Sequence, residues 1–132
     1  VNVDQISDFA NGIDVIGLYL NPANNTLTGA GSATTATIGT ATLATISATG
    51  LATFGTVANQ TFVGRVAAVE AQLTAVGTSN VAVFDGGDGF NYLFYADATG
   101  GVSAGDALVR LSGVTNIAAG ITVTNNVITA IG

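Results

Sequence analysis

A run of fifty consecutive residues without a charged side chain, from Val15 to Gly64, limits the folds that this chain can adopt. Across all 132 residues only 8% are charged, whereas about 25% are charged in a typical soluble domain. The surface must therefore be built mainly from Gly, Ala, Ser, Thr and Asn. Thr and the β-branched apolar residues favour strands. The sequence thus favours a β-rich domain, and its length is that of one domain with a real core.

Charge and residue types exclude several classes of function. The net charge is −6, and Arg65 and Arg110 are the basic residues. Such a chain cannot neutralise a row of phosphates, so we expect no nucleic-acid partner. Without Cys or His it has no thiolate nucleophile, no structural zinc site and no imidazole for acid–base catalysis. No apolar run reaches the roughly 18 residues of a spanning helix, so we expect the protein not to span a membrane.

The first twenty residues predict a pair of short strands. Apolar residues alternate from Val3 to Phe9 and again from Ile13 to Leu20. Asn11-Gly12 between them is typical of a hairpin turn. A loop is predicted next, where Asn-Pro-Ala-Asn-Asn occupies residues 21–25.

A weak repeat of eight residues runs through the uncharged segment. It places a threonine before an apolar residue at Thr37-Ile38, Thr45-Ile46, Thr53-Phe54 and Thr61-Phe62. Small residues follow the first three pairs, which suggests turns or close backbone approach. We predict several short strands joined by tight turns. The alternative is compositional drift with no structural repeat.

One amphipathic helix is predicted at about residues 61–76. Its apolar stripe consists of Val66, Val69, Leu73 and Val76. Thr61 can cap the first turn, and Gly77 follows the last apolar residue of the stripe.

Five strands are predicted after the helix. Their ranges are Asn80–Asp85, Phe90–Asp97, Ala107–Ser112, Ile121–Thr124 and Val127–Ile131. The segment 86–89, Gly-Gly-Asp-Gly, joins the first two as a hairpin. The predicted fold class is therefore mainly β: residues 1–132 form a single domain, a β-sandwich or a β-roll-like arrangement of short strands with one helix.

Carboxylates are the candidates for chemistry in this chain. The eight are Asp4, Asp8, Asp14, Glu70, Asp85, Asp88, Asp97 and Asp106. A glycosidase would need two of them on either side of a sugar bond, and nothing in the sequence brings two together in a cleft. Most lie beside Gly, Asn or Ser, which is typical of solvated turns. We therefore expect that the protein is not an enzyme.

Two segments contain candidate calcium ligands. Residues 86–94, Gly-Gly-Asp-Gly-Phe-Asn-Tyr-Leu-Phe, resemble one copy of the calcium-binding nonapeptide G-G-x-G-x-D-x-U-x, with Asn91 in place of its Asp. Asp88 is a candidate ligand there, and a glycine-rich hairpin turn is the alternative. Residues 4–16 resemble the D-x-I-x-D-F-x-x-G-x-D-x-I segment of RTX-type proteins. Asp4, Asp8 and Asp14 are three hard oxygen donors near one turn and form a candidate half-site for Ca²⁺. The alternative is that they cap and solvate the turn.

The C-terminal half carries the broadest resemblance. A hydrophobic strand, Gly-Gly-Asp, an aromatic strand ending in Asp97, and Val-Ser-Ala-Gly-Asp-Ala-Leu-Val-Arg-Leu-Ser-Gly at residues 102–113 follow one another. This order is similar to the C-terminal region of RTX-type surface-layer proteins and large adhesins that bacteria export by type I secretion. The resemblance covers about residues 60–132 and 4–18, and the Thr-rich middle lies outside it.

The resemblance and the composition together imply a function. They suggest an extracellular, bacterial cell-surface protein that leaves the cell by type I secretion and associates with itself into a surface layer, fibre or matrix. Sheet edges without basic residues are suited to such assembly. Ca²⁺ is the implied cofactor, and a cell-surface polysaccharide is an implied partner. The alternative is the C-terminal, secretion-bearing domain of an adhesin or of a secreted calcium-dependent enzyme.

Overall fold

The computed structural model describes residues 3–17, 34–38, 41–55, 61–74, 80–97, 100–124 and 127–132. Its strands are β1 Val3–Ile6, β2 Thr34–Ile38, β3 Ala41–Ile46, β4 Ala52–Phe54, β5 Asn80–Asp85, β6 Asn91–Ala96, β7 Ala107–Leu111, β8 Ile121–Thr124 and β9 Val127–Ile131. The helix α1, Phe62–Thr74, lies between β4 and β5. Nothing helical in this part of the chain is long and apolar enough to cross a membrane. The predicted fold class, mainly β with one helix, is confirmed.

The centre of the fold is a four-stranded sheet in the order β1-β7-β6-β5. Strands β5, β6 and β7 pair antiparallel, and β1 pairs parallel with β7. Residues 92–96 of β6 are all buried. Because successive side chains of a strand point to opposite faces, a strand buried along its length must be covered on both faces.

One face of the central sheet packs against α1 and the three-stranded sheet β2-β3-β4. The sheet contributes Ala82, Phe84, Tyr92, Phe94, Ala96 and Leu108 to this face. From the helix, Val66, Val69 and Leu73 pack there, as their spacing predicts. Ile46 and Ala52 complete this part of the core.

The opposite face packs against the two-stranded sheet β8-β9. Its side chains are Val81, Val83, Leu93, Tyr95, Val109 and Leu111. They are covered by Ile16 and by the hairpin residues Ile121, Ile128 and Ile131. Stacked layers of mostly antiparallel strands correspond to the sandwich, rather than the roll, of the two predicted architectures.

The eight-residue repeat corresponds to real strands. Its first three pairs lie on β2, β3 and β4, which form an antiparallel meander. Thr45 lies opposite both Thr35 and Thr53 in the register of this sheet. The fourth pair falls elsewhere: Phe62 is the first residue of α1, and the Thr61 hydroxyl accepts a hydrogen bond from the Gly64 amide at 3.2 Å. The cap predicted for Thr61 is therefore confirmed.

The structure describes the helix as far as Thr74, and its predicted end at residue 76 is not tested. Val76 and Gly77, with the loop predicted at residues 21–25, lie outside the described residues.

The predicted N-terminal hairpin is wrong. Strand β1 pairs in parallel with β7, with Val3 opposite Leu108, and Ile16 forms an isolated antiparallel bridge to Ile128. The turn at Asn11 lies between these two contacts, and the Asn11 carboxamide bonds both the amide and the carbonyl of Ile131. The segment therefore crosses from the central sheet to β9, because both sheets offer it an unpaired edge and a local hairpin would leave those edges open.

Candidate functional site

Both arginines of this acidic chain lie at one end of the central sheet, where β5 turns into β6. The hairpin places Asp85 opposite Asn91, and the Gly86 amide donates to the Phe90 carbonyl at 2.9 Å. The hairpin-turn interpretation of the Gly-Gly-Asp-Gly segment is therefore confirmed. Since opposite charges and aromatic rings also meet here, this end of the sheet is the candidate site.

Arg65 connects the helix to the hairpin. Its Nη1 donates to the Asp85 carbonyl at 2.6 Å and lies 3.5 Å from the Asp85 Oδ1. Its guanidinium carbon lies 4.9 Å from the centroid of the Phe54 ring, within the range of a cation–π contact. The first turn of α1, the end of β4 and the end of β5 are thereby held together.

Asp88 closes the tip of the hairpin. Its Oδ1 accepts from the Phe90 amide at 3.1 Å, and its Oδ2 accepts from the Tyr92 hydroxyl at 2.7 Å. Arg110 contributes a positive charge nearby, and its guanidinium lies 4.6 Å from the Phe90 ring centroid. Both oxygens of this candidate calcium ligand therefore take part in the turn.

The Asp88–Tyr92 pair shifts two pKa values in opposite directions. Burial by itself raises the pKa of Asp88, but the hydrogen bonds from Tyr92 and Phe90 and the charge of Arg110 hold it below its usual value. Burial, together with the hydrogen bond to Asp88 and its negative charge, raises the pKa of Tyr92 to about 12. The pair is most stable with Asp88 ionised and Tyr92 neutral.

We expect the alkaline titration to detect this pair. Because the folded pKa of Tyr92 is raised, its stabilising contribution is complete below the unfolded value of about 10 and is lost as the pH rises through about 12. The folded pKa of Asp88 is lowered, so the contribution of Asp88 to stability is lost only as the pH falls below the unfolded pKa of about 3.9. Ultraviolet absorbance of tyrosinate measures the alkaline step.

Two variants and a control identify that step. Tyr92→Phe should remove the late tyrosinate transition, and Asp88→Asn should move it to lower pH. Asp14→Asn is the matched control, because Asp14 is exposed and contacts the Ala10 amide instead. A late transition that persists unchanged in Tyr92→Phe would contradict the assignment.

A groove runs beside this hairpin and is formed by two adjoining cavities of about 320 and 490 Å³. The two share Asp85, Asn91 and Thr115, so they are continuous. The smaller is also lined by Phe90 and the end of β7, the larger by β4, Arg65 and residues 115–118. The sequence did not predict this groove, because its walls come from four separate parts of the chain. The available signal was that the chain holds two basic residues, Arg65 and Arg110.

The three carboxylates predicted as a calcium half-site lie in different local settings. Asp4 lies on β1 opposite Val109, and Asp8 follows that strand; both are exposed. Asp14 caps the turn, since its Oδ2 accepts from the Ala10 amide at 2.9 Å. Within the described residues, no group of three or more acidic side chains is arranged to hold a metal ion. Calcium binding at Asp4, Asp8, Asp14 and Asp88 stays a prediction.

Two carboxylates are buried, and one of them, Asp106, was expected in a solvated turn. Asp106 is 7% exposed, and its oxygens accept from the amides of Asp97 at 2.9 Å and Ser103 at 2.6 Å. Glu70 is 4% exposed and accepts from the Gly101 amide at 2.7 Å. The expectation of a solvated turn is wrong for Asp106, whereas Glu70 lies in the helix as predicted. Both satisfy the backbone of the loop between β6 and β7, where no strand pairing is available.

Comparison with known proteins gives this site no precedent: no family model, no curated protein and no solved structure matches the chain.

Proposed function

We propose that the protein is an extracellular structural subunit of a bacterial cell surface, and that it associates with itself through the edges of its sheets into a layer, fibre or matrix. Its proposed role is therefore structural and not catalytic. The single observation behind this proposal is that the described edge strands hold almost no charge. β1 and β5 carry one charged residue each, Asp4 and Asp85, and the other edge strands β2, β4, β8 and β9 carry none.

The edges of β1 and β8 are the proposed contacts between subunits. Each is the last strand of its sheet, Val3 at the start of β1 is 49% exposed, and Thr122 and Thr124 of β8 are exposed. Proteins that stay monomeric protect such edges with lysines, prolines or covering segments. Neither strand contains lysine or proline. Strand pairing between copies would satisfy backbone groups that otherwise depend on water.

Export by type I secretion is part of the proposal and is supported by the resemblance of the C-terminal half. In the folded domain, Ile121, Ile128 and Ile131 are buried in the core. A secretion signal in the β8–β9 hairpin would consequently be accessible only before folding. This agrees with passage of an unfolded chain that folds outside the cell.

Lysine on both proposed edges should block assembly. The variant Asp4→Lys/Thr124→Lys places a lysine on each edge, so a β1–β8 contact between copies would bring two positive charges together where the parent has Asp4 against an uncharged strand. Electron microscopy and sedimentation should show filaments or sheets for the parent and monomers for the variant. High salt should partly restore assembly by screening the repulsion. Each measurement is made in chelator and in millimolar Ca²⁺, because calcium is a proposed cofactor.

Thr45→Lys is the matched control for this experiment. Thr45 is also exposed, but it lies on the inner strand β3, which is paired on both sides. This variant should assemble like the parent, and circular dichroism verifies that each variant is folded. A parent protein that stays monomeric at high concentration, with and without Ca²⁺, would disprove self-association. Assembly of the double variant at the parental rate would disprove these two edges as the interface.

A further inference from the structure

The groove beside the β5–β6 hairpin is lined by side chains that donate hydrogen bonds and by side chains that accept them. The carboxylate of Asp85 is an acceptor on a side chain that is 67% exposed. Asn91 uses Nδ2 to donate to the Val114 carbonyl at 2.8 Å, so its Oδ1 is a further acceptor. Asn116 accepts the Ala118 amide with Oδ1 at 3.0 Å, so its Nδ2 is a donor. Thr115, on the wall shared by both cavities, can donate and accept.

Apolar surface lines the groove together with these polar groups. Phe90 lines the smaller cavity and is 40% exposed, and Phe54 lines the larger. Each ring has an arginine guanidinium against it, which fixes its position. Both cavity volumes fall in the range of roughly 300–1,000 Å³ in which small-molecule sites are found. A ligand that fits must offer several hydroxyl groups together with apolar C–H surface.

Charge decides between neutral and anionic ligands. Beside the groove, Asp85 lies next to Arg65, and Asp88 lies next to Arg110, so the local charges offset one another. The whole chain carries a net charge of −6, which repels anions at longer range. An uncharged ligand meets neither repulsion nor an unpaired charge.

We propose that this groove binds a neutral oligosaccharide, such as a stretch of an uncharged cell-surface polysaccharide. Asp85, Asn91, Thr115 and Asn116 exchange hydrogen bonds with the sugar hydroxyls, and the C–H groups of the sugar contact the surface of Phe90 and Phe54 that the guanidinium groups leave uncovered. The inference rests on the groove alone and holds whether or not the protein assembles.

Saturation-transfer NMR on the full chain tests this binding, because it observes the ligand and works for monomers and assemblies alike. The probes are maltohexaose, mannohexaose and cellohexaose, with an alginate hexamer as the anionic comparison. At least one neutral probe should receive saturation from the parent protein, and the alginate hexamer should receive little. The variant Asp85→Asn/Thr115→Val should bind at least tenfold more weakly, because it removes a charged acceptor and a hydroxyl without changing side-chain volume.

The control is Thr45→Val, which is matched to the Thr115→Val change because it removes a hydroxyl at an exposed position that neither lines the groove nor lies on the proposed edges. It should bind like the parent. Circular dichroism verifies folding, and the single variant Thr115→Val, at an exposed position, gives a second readout if the double variant is unfolded. Absence of transfer to every neutral probe would overturn the proposal. Equal binding by the groove and control variants, or equal binding of the alginate hexamer, would overturn it as well.

Discussion

Replacing Phe84 by alanine should lower the free energy of unfolding by about 3–5 kcal/mol, which is the usual loss for a fully buried phenylalanine. Phe84 is 0% exposed and lies on the face of the central sheet that packs against the helix. Its ring stacks on Tyr92 at 5.8 Å between centroids and meets Phe54 edge-on at 6.0 Å. Alanine would leave a cavity where the sheet, the helix and β4 come together. Urea denaturation of the monomer measures the loss.

Phe90→Ala is the matched control for this prediction. Phe90 is 40% exposed at the tip of the same hairpin, so its truncation opens no cavity and should cost at most about 1 kcal/mol. The slope of the unfolding free energy against urea should be the same in both variants, which shows that the native state remains compact. Similar losses of unfolding free energy in the two variants would mean that the stability of the core does not depend on the packing around Phe84.

The bounds of several strands could be predicted from the sequence, because the residues that end these strands act locally. β5, β8 and β9 have the predicted ranges, and β6 and β7 differ from the prediction by one residue at one or both ends. In each case an apolar run meets Gly, Asn or Asp, and these residues end strands through their own backbone preferences. The helix could be predicted for the same reason, because it is specified by the capping hydroxyl of Thr61 and by the spacing of three apolar residues within it.

Strand partners could not be predicted in the same way. The parallel pairing of β1 with β7 joins Val3 to Leu108 across most of the chain, and no pattern within either segment specifies it. The burial of Asp106 and Glu70 has the same origin, because it depends on which loop amides need an acceptor once the sheets have packed. The groove is a further case: Phe54, Arg65 and Thr115 become neighbours only in the complete fold.

The shortage of charge follows in part from a sheet that is covered on both faces. Residues 81–84 of β5 and 92–96 of β6 are buried without interruption, so these two strands offer few positions where a charged side chain would meet water. That argument does not apply to the outer strands. Thr53, Thr122 and Thr124 are all exposed, and each could be lysine without cost to the core. The absence of charge at such positions is what the proposed association between copies requires.

Replacing Gly120 by alanine should lower the free energy of unfolding by about 3 kcal/mol, the sum of a strained backbone and broken contacts between layers. Gly120 is buried and has a φ of 80°, in the left-handed region that is costly for other residues. An added Cβ would overlap the Thr49 carbonyl oxygen, which accepts the Ile121 amide at 2.8 Å. The turn between β3 and β4 would have to move away from β8, and Ile121 would leave its place in the core.

Gly12→Ala separates the two causes of this loss. Gly12 has a similar φ of 76°, but an added Cβ there meets no atom within 4 Å. Its alanine variant should therefore show only the backbone strain, about 1–2 kcal/mol. The difference between the two losses measures the close approach of the β3–β4 turn to Gly120. Equal losses of unfolding free energy in the two variants would show that the β3–β4 turn moves away from Gly120 without loss of stability. The β8–β9 hairpin would then be stabilised by its packing on the central sheet alone.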